Sequence, residues 1–401
     1  MLRFPALAAV LLLTAAPAAA LAQAVEVAPL AAPDAFSIAG RQTGLPATVW
    51  QGASIDTVGK VLPLLASKPL PPAAAALARR VLATGAPGPR GIGADAGLTA
   101  ARAQALTAVG DPGAAAAILA RAPGVDRSAE LSRAAAESAL LAGDDARACA
   151  IGQALTVGRE DVYWLRLRAF CQATAGETAQ AQLTFDLAHS TSRDAVYGRL
   201  MSAKLAGAGS PGAASLRNGL DLALSRSLGL DLSAAKPAPA VAAALAAAEP
   251  TELTWTIPDG EDDVLAAARA LASGGAVPVE LLQRLLDNAA KADVKTRARA
   301  EGAALLASAF AAGDSADVRG RLAALTTPEG KTPIGRNLAL EAAARNRLMG
   351  ESAMLALWAA ADAGTGGVAI ADRARIVRAL HESGLEADAR AFAIEGLLAL
   401  K

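Results

Sequence analysis

Two cysteines and two histidines are the residues whose side chains could do nucleophilic or acid–base chemistry. Cys171 would need a neighbouring base to act as a nucleophile, and none is identifiable in the adjoining sequence. His189 and His381 each fall near the C-terminal end of a predicted helix, where a cation complements the helix dipole. Neither histidine has a Glu or His partner at metal-binding spacing. The sequence therefore predicts no catalytic residue, no metal site and no cofactor.

The cysteines are better placed to form a disulfide. Cys149 falls in the second helix of one predicted hairpin and Cys171 in the first helix of the next, and these two helices should pack antiparallel. With a turn over 157–161, the two residues lie about 12 and about 15 Å along their helices, at about 1.5 Å per residue. That geometry allows a bridge, and an oxidising compartment favours it. The alternatives are two buried free thiols or a catalytic thiol.

The segment PEGKTP, 328–333, has the Gly-Lys-Thr tripeptide of a phosphate-binding loop. That motif requires another glycine five residues before Gly330, but the position is Leu325, and no apolar strand leads into the segment. We therefore predict a loop between helices rather than a nucleotide site.

The composition favours many modest helix contacts over a few large ones. Hydrophobic residues make up 53% of the 401 residues but aromatic residues only 3%, so alanine supplies most of the apolar count. Alanine forms helices well but buries little area per residue. Basic and acidic residues number 38 each, and no basic stripe is present, which argues against nucleic acid as the main partner.

The N-terminus has the layout of a secretory signal peptide. Arg3 precedes an apolar run through Leu13, and small residues end at Ala24, after which cleavage is expected. No later segment is apolar over the length of a membrane span, so no span is predicted in the mature chain. We predict a periplasmic protein of a bacterium; the alternative is a segment kept as a membrane anchor.

Composition and periodicity divide the chain into six segments. These are a signal peptide (1–24), a flexible leader (25–53), an N-terminal helical pair (54–90), a set of repeats (91–229), a Pro- and Ala-rich bridge (230–262) and C-terminal helical repeats (263–401). No segment alternates as a strand would, so we predict an all-α fold. Within the bridge, Trp255 is expected to pack onto a neighbouring surface.

Repeats of 33 residues run through 91–229. In each unit a large residue is followed twelve positions later by a glycine and then by a residue of helix-capping type. The three columns are Leu98, Leu131, Trp164 and Tyr197; Gly110, Gly143, Gly176 and Gly209; and Asp111, Asp144, Glu177 and Ser210. Glycine ends a helix in the left-handed conformation, the next residue caps the second helix, and Pro112 and Pro211 suit its first turn. Each unit is therefore a predicted helical hairpin, and such units must stack.

The C-terminal segment shows the same pattern with looser spacing. Its turns are expected near Gly274, Gly313, Gly350 and Gly384. Gly313-Asp314 and Gly350-Glu351 repeat the glycine-then-acid pair. The sequence thus predicts helical hairpins in this half as well.

The hairpins resemble tetratricopeptide repeats. In the third unit, the residues that follow that family's pattern are Trp164, Leu167, Ala181, Phe185 and Ala188, whereas Gly152 and Asn218 stand at the Phe185 position of the neighbouring units. The resemblance covers about 95–225 and implies an α-solenoid of stacked antiparallel hairpins with a period of about 33 residues.

By this resemblance, the first helices of the hairpins line a groove for a partner. Its expected positions are Val162, Leu165, Ala169, Gln172, Ala103, Leu106, Ala136, Ala139, Ser202 and Leu205. The implied function is a non-catalytic scaffold that binds a protein or peptide of the bacterial cell envelope. The alternatives are mere solenoid packing at these positions, an enzyme or helical accessory acting on cell-wall glycan or exported polysaccharide, and a purely structural envelope protein.

Overall fold

The computed structural model describes residues 33–207, 211–246, 253–294, 296–311 and 315–400. The predicted signal peptide, 1–24, and the leader residues 25–32 lie outside these ranges. The described residues form α-helices and short 3-10 turns, with one isolated β-bridge between Val277 and Ala311 and no strand. The all-α prediction is confirmed. None of these helices is long and apolar enough to cross a membrane.

Three helical hairpins occupy the first repeats. Their helices are α3 (Ala96–Ala108), α4 (Pro112–Leu119), α5 (Ala129–Leu141), α6 (Asp145–Ala154), α7 (Val162–Thr174) and α8 (Thr178–Thr191); they follow a helical pair, α1 (Ile55–Ser67) and α2 (Pro72–Ala83). The predicted turn glycines Gly110, Gly143 and Gly176 have φ of 88°, 82° and 82°. The residue after each donates its N–H to a carbonyl five residues back, which closes the end of the first helix.

The predicted caps of these hairpins are confirmed in two of three units. The Asp111 and Asp144 carboxylates accept the N–H groups of Ala114 and Arg147. Glu177 occupies the same position before α8, but its side chain makes no capping hydrogen bond.

The fourth unit departs from the repeat. Helix α9 (Ala195–Ala206) ends at Gly207, with φ 62°, while the predicted turn residues Gly209 and Ser210 lie outside the described ranges. Pro211 begins no helix; α10 (Gly219–Ser227) starts eight residues later and packs against α5 as well as α9. The bridge contains α11 (Pro239–Leu245), which packs against α3. As expected, Trp255 is partly buried against the core.

The C-terminal half consists of further helices: α12 (Asp263–Ala272), α13 (Val279–Lys291), α14 (Arg297–Ser308), α15 (Ala316–Ala323), α16 (Ile334–Arg345), α17 (Met349–Ala363), α18 (Ile370–Glu382) and α19 (Glu386–Ala399). The predicted turns at Gly274 and Gly384 are confirmed, with φ of 78° and 89°. Gly313 and Asp314 lie outside the described ranges.

The predicted turn at Gly350 is wrong, because Gly350 lies inside α17. The left-handed residue is Arg347, with φ 52°. Gly350 instead permits a close approach: its N–H donates to the Val49 carbonyl at 2.8 Å, and a Cβ there would lie 2.6 Å from that oxygen. Glu351 does not cap its own helix but accepts the Ser54 N–H at 2.8 Å, at the start of α1.

The flexible leader predicted over 25–53 is also wrong where the structure describes it, from residue 33. Phe36, Val49 and Trp50 are fully buried, and the rings of Phe36 and Trp50 lie 4.4 Å apart. The buried Arg102 of α3 donates to the Ala35 carbonyl at 3.0 Å. The segment has no helical periodicity, yet its buried aromatic side chains hold it against the core. Burying each of these side chains stabilises the fold by about 2 kcal/mol.

Of three hydrophobic clusters in the described residues, two large ones organise most of the packing. The larger is shared by the N-terminal helices and the C-terminal half, since α1 and α2 pack against α17, and α2 also packs against α19. The second runs through α5 to α10. Helices α7, α8 and α9, which we call the arm, contribute to the second cluster and not to the first. Contacts in the C-terminal half do not follow chain order, because α12 packs on α19 and α14 on α18.

Candidate functional site

Most of the predicted groove positions are buried inside the protein. Six are covered: Ala103, Leu106, Ala136, Ala139, Leu165 and Ala169. Four remain accessible, with Ser202 exposed and Val162, Gln172 and Leu205 half-buried. All four lie on α7 and α9. The six covered residues cannot contact a partner in this structure, so a groove along the whole set of repeats is not present.

The chain covers its own groove. Ala136 and Ala139 of α5 share a cluster with Leu220 and Leu224 of α10. Ala103 and Leu106 of α3 belong to the core shared with α1 and α2. The repeat pattern does not predict that α10 covers α5, because α10 begins where the fourth hairpin departs from the 33-residue period.

A glutamate fixes α10 on α5. The Glu137 carboxylate accepts the Gly219 N–H at 2.6 Å, and a Cβ on Gly219 would lie 2.8 Å from the same oxygen. Burial raises the pKa of Glu137, although the Gly219 N–H and the nearby charge of Arg133 oppose that shift. A buried carboxyl with a raised pKa is the group that a general acid needs. Here its hydrogen bond serves helix packing.

The predicted disulfide is confirmed: Cys149 of α6 and Cys171 of α7 are bonded, with their Cα atoms 5.7 Å apart. The two half-cystines join adjoining hairpins at the base of the arm. Neither sulfur is therefore a free nucleophile, which removes the catalytic alternative for Cys171.

A cavity of about 860 Å³ lies where three parts of the chain meet. We call it the junction cleft. Its walls come from the leader, α2, the bridge at Trp255, α12 and α19, and they carry four arginines: Arg41, Arg79, Arg80 and Arg390. None of these residues was a candidate from sequence, because only tertiary packing brings them together.

Carboxylates neutralise most of this positive charge. Arg41 pairs with Asp111 at 2.8 Å, and Arg80 pairs with Asp388 at 2.6 Å. Arg390 pairs with Glu386 at 2.5 Å. Three of the four arginines of the junction cleft are thus paired with carboxylates, two of them with distant segments and Arg390 within its own helix, so the cleft is not an open anion site.

Burial dominates the electrostatics of the cleft. It raises the pKa of Asp388, although the charge and hydrogen bond of Arg80 oppose the rise. It lowers the pKa of Arg79, whose guanidinium donates to the Val109 carbonyl at 2.8 Å. The charge of Arg80 therefore lowers the free energy needed to keep the buried Asp388 carboxylate ionised.

The Gly-Lys-Thr segment is a loop between α15 and α16, as predicted. The N–H groups of Lys331 and Thr332 donate to the Asp372 carboxylate at 2.7 and 2.8 Å. A Cβ on Gly330 would collide with that carboxylate. The Asp372 carboxylate thus already binds the backbone N–H groups of this loop.

Both histidines lie in the last turn of a helix, as predicted. His189 packs near Phe185, with ring centroids 5.9 Å apart, and His381 meets Phe310 edge-on at 4.9 Å. Within the ranges the structure describes, no three His, Cys, Asp or Glu side chains are grouped to hold a metal ion.

Comparison with known proteins adds no relative: no protein-family model, no curated protein and no solved structure matches this chain. A proposal about function therefore rests on the geometry of the sites described above.

Proposed function

We propose that this protein is an exported, non-catalytic scaffold of TPR-like stacked hairpins that binds a protein or peptide of the bacterial cell envelope. The proposed route is a signal peptide, 1–24, and the proposed compartment is the periplasm. The disulfide between Cys149 and Cys171 supports an oxidising compartment. The binding surface is the arm, α7 to α9.

The observation that carries this proposal is the division of the predicted groove. Its positions on α3 and α5 are covered, while Val162, Gln172, Ser202 and Leu205 of the arm remain accessible. Helix α8 of the arm also carries Leu183 and Leu187, which lie one turn apart and are 74% and 52% exposed. Adjacent exposed leucines are a common feature of surfaces that bind protein.

Site-specific photo-crosslinking in cells tests this assignment. A photoreactive residue at Ser202 or at Gln172 should trap the same envelope protein. The matched control is Glu280, an exposed position on α13 outside the arm. Adducts of equal yield from Glu280, or none from the arm, would contradict the proposal.

Export is tested separately by N-terminal sequencing of protein recovered from the periplasm. Cleavage after Ala24 gives a mature chain that begins at Val25. An intact Met1 in a membrane fraction would show that the segment is kept as an anchor.

A further inference from the structure

A smaller cavity, of about 290 Å³, lies beside the disulfide, and we call it the disulfide pocket. Its floor is apolar, with Trp164 and Leu167 of α7 next to the two half-cystines. Its volume is near the lower end of the range for small-molecule sites, so it suits a ligand about the size of one amino acid.

The repeat register explains why this cavity exists. Phe185 stands 33 residues after Gly152, at the same position of the next hairpin. The Phe185 ring is buried and packs near Tyr197, with centroids 6.0 Å apart. At Gly152 the ring is missing: a Cβ there would lie 3.3 Å from Leu167 and 3.8 Å from Trp164. Glycine at position 152 thus lets Leu167 and Trp164 approach α6 closely, and no side chain from position 152 enters the cavity that it lines.

Two arginines without carboxylate partners stand at this pocket. Arg159 lies in the turn before α7 and Arg168 on α7, and Arg168 donates to the Arg159 carbonyl at 3.3 Å. Among the residues that the structure describes, no ion pair joins either guanidinium to a carboxylate. Glu177, the acidic residue among the lining groups, is exposed and makes no such pair.

The electrostatics of the pocket favour an anion. Desolvation and the positive charge of Arg159 both lower the pKa of Arg168, so the two cations repel each other. An anion between them would relieve that repulsion, and guanidinium groups bind carboxylates through paired hydrogen bonds. Gln172 adds a buried amide oxygen with no hydrogen-bond partner.

We propose that the disulfide pocket binds a small organic anion, whose carboxylate lies between Arg159 and Arg168 and whose apolar body packs on Trp164 and Leu167. The site shares Gln172 with the surface proposed for the protein partner, but Arg159 and Arg168 are not among the predicted groove positions of that surface. It requires the absence of a side chain at Gly152, two arginines without carboxylate partners and the disulfide that holds α6 against α7.

Calorimetric titration of the full mature chain tests the proposal with three probes. Phenylacetate carries both the carboxylate and an apolar body, phenylacetamide lacks the charge, and inorganic phosphate lacks the apolar body. We expect saturable binding of phenylacetate and at least about tenfold weaker binding of the other two. Failure of phenylacetate to bind would overturn the proposal. Equal binding of phenylacetamide would exclude the role of the arginines, and equal binding of phosphate would exclude the apolar floor.

Variants locate the binding. Arg168→Gln and Arg159→Gln should each weaken phenylacetate binding by at least about tenfold. Arg193→Gln is the matched control, because Arg193 is an exposed arginine in the loop between α8 and α9. Gly152→Leu should abolish binding by filling the cavity, with thermal melting as the check that it folds. Unchanged affinity in both arginine variants, or a loss as large in Arg193→Gln, would contradict the assignment.

Discussion

Two arginine-rich cavities of this protein differ in what their charges do. In the junction cleft, Arg41, Arg80 and Arg390 are each paired with a carboxylate. In the disulfide pocket, Arg159 and Arg168 make no such pair within the described residues. The number of positive charges in a cavity therefore does not show whether it can bind an anion. What decides this is whether those charges are already paired with carboxylates of the protein.

The two cavities also differ in how far apart their parts lie in the sequence. Arg80 and Asp388 are separated by 308 residues, and their contact joins the N-terminal helices to α19. The disulfide pocket is local, with lining residues between Cys149 and Glu177. We infer that the Arg80 and Asp388 pair helps to fix the two halves of the chain together. Substitutions in the local disulfide pocket should then leave the packing of the two halves intact.

The largest effect is expected from Arg80→Met. The variant leaves the buried Asp388 carboxylate without its cation, and it should lower the free energy of unfolding by about 3 kcal/mol. Urea denaturation measures the loss. The double variant Arg80→Met with Asp388→Asn should recover part of it, because no unpaired charge then remains. If the single variant is as stable as the wild type, the ion pairs do not hold the halves together.

The next effect concerns the disulfide. Its loop spans 22 residues, and closing a loop of that size stabilises the folded state by about 3 kcal/mol. Cys149→Ser with Cys171→Ser should lower the free energy of unfolding by up to that amount and weaken phenylacetate binding. The Arg80 and Asp388 pair should be unaffected. Equal stability with and without reductant would show that the bridge is not needed to hold α6 on α7.

The features that the sequence predicts correctly are those whose geometry is determined by a short stretch of chain. Gly110, Gly143 and Gly176 end helices as predicted, because a left-handed turn is a local requirement met best by glycine. Cys149 and Cys171 were predictable for the same reason, since the hairpin length fixes their relative depth. In these cases the residue type and its spacing were sufficient.

Tertiary contacts decided the features that the sequence did not predict. The sequence predicts a turn at Gly350, but the close approach of Val49 requires a glycine inside a helix there. Trp50 lies in a segment without periodicity, so only its burial reveals the anchor. The junction cleft is assembled from residues with no relation in sequence. The disulfide pocket could have been found from Gly152, since the repeat register marks a missing aromatic ring at that position.

The pH dependence of the Arg80→Met defect sharpens the comparison. Burial raises the folded-state pKa of Asp388 above its unfolded value, so its contribution is fully present below the unfolded pKa and lost as pH rises through the folded pKa. Without Arg80 that pKa rises further, and the loss at neutral pH becomes larger. The stability difference from wild type should therefore be small near about pH 4 and grow by about 1 kcal/mol or more toward about pH 7. A difference that is constant over this range would mean that Asp388 is not the group left unpaired.

The smallest effect on the free energy of unfolding is expected from a change in the disulfide pocket, and it is a gain in stability rather than a loss. Arg168→Gln removes one of two repelling cations that have no carboxylate partner, so the ligand-free protein should keep its stability or gain up to about 0.5 kcal/mol. The same change should weaken binding of phenylacetate. A residue that serves a ligand rather than the fold should show this combination, whereas Arg80 should show the reverse. Urea denaturation of Arg168→Gln and Arg80→Met side by side, with and without phenylacetate, measures both quantities. If Arg168→Gln destabilised the ligand-free protein as strongly as Arg80→Met, the distinction between the two cavities would be lost, because both sets of arginines would then be structural.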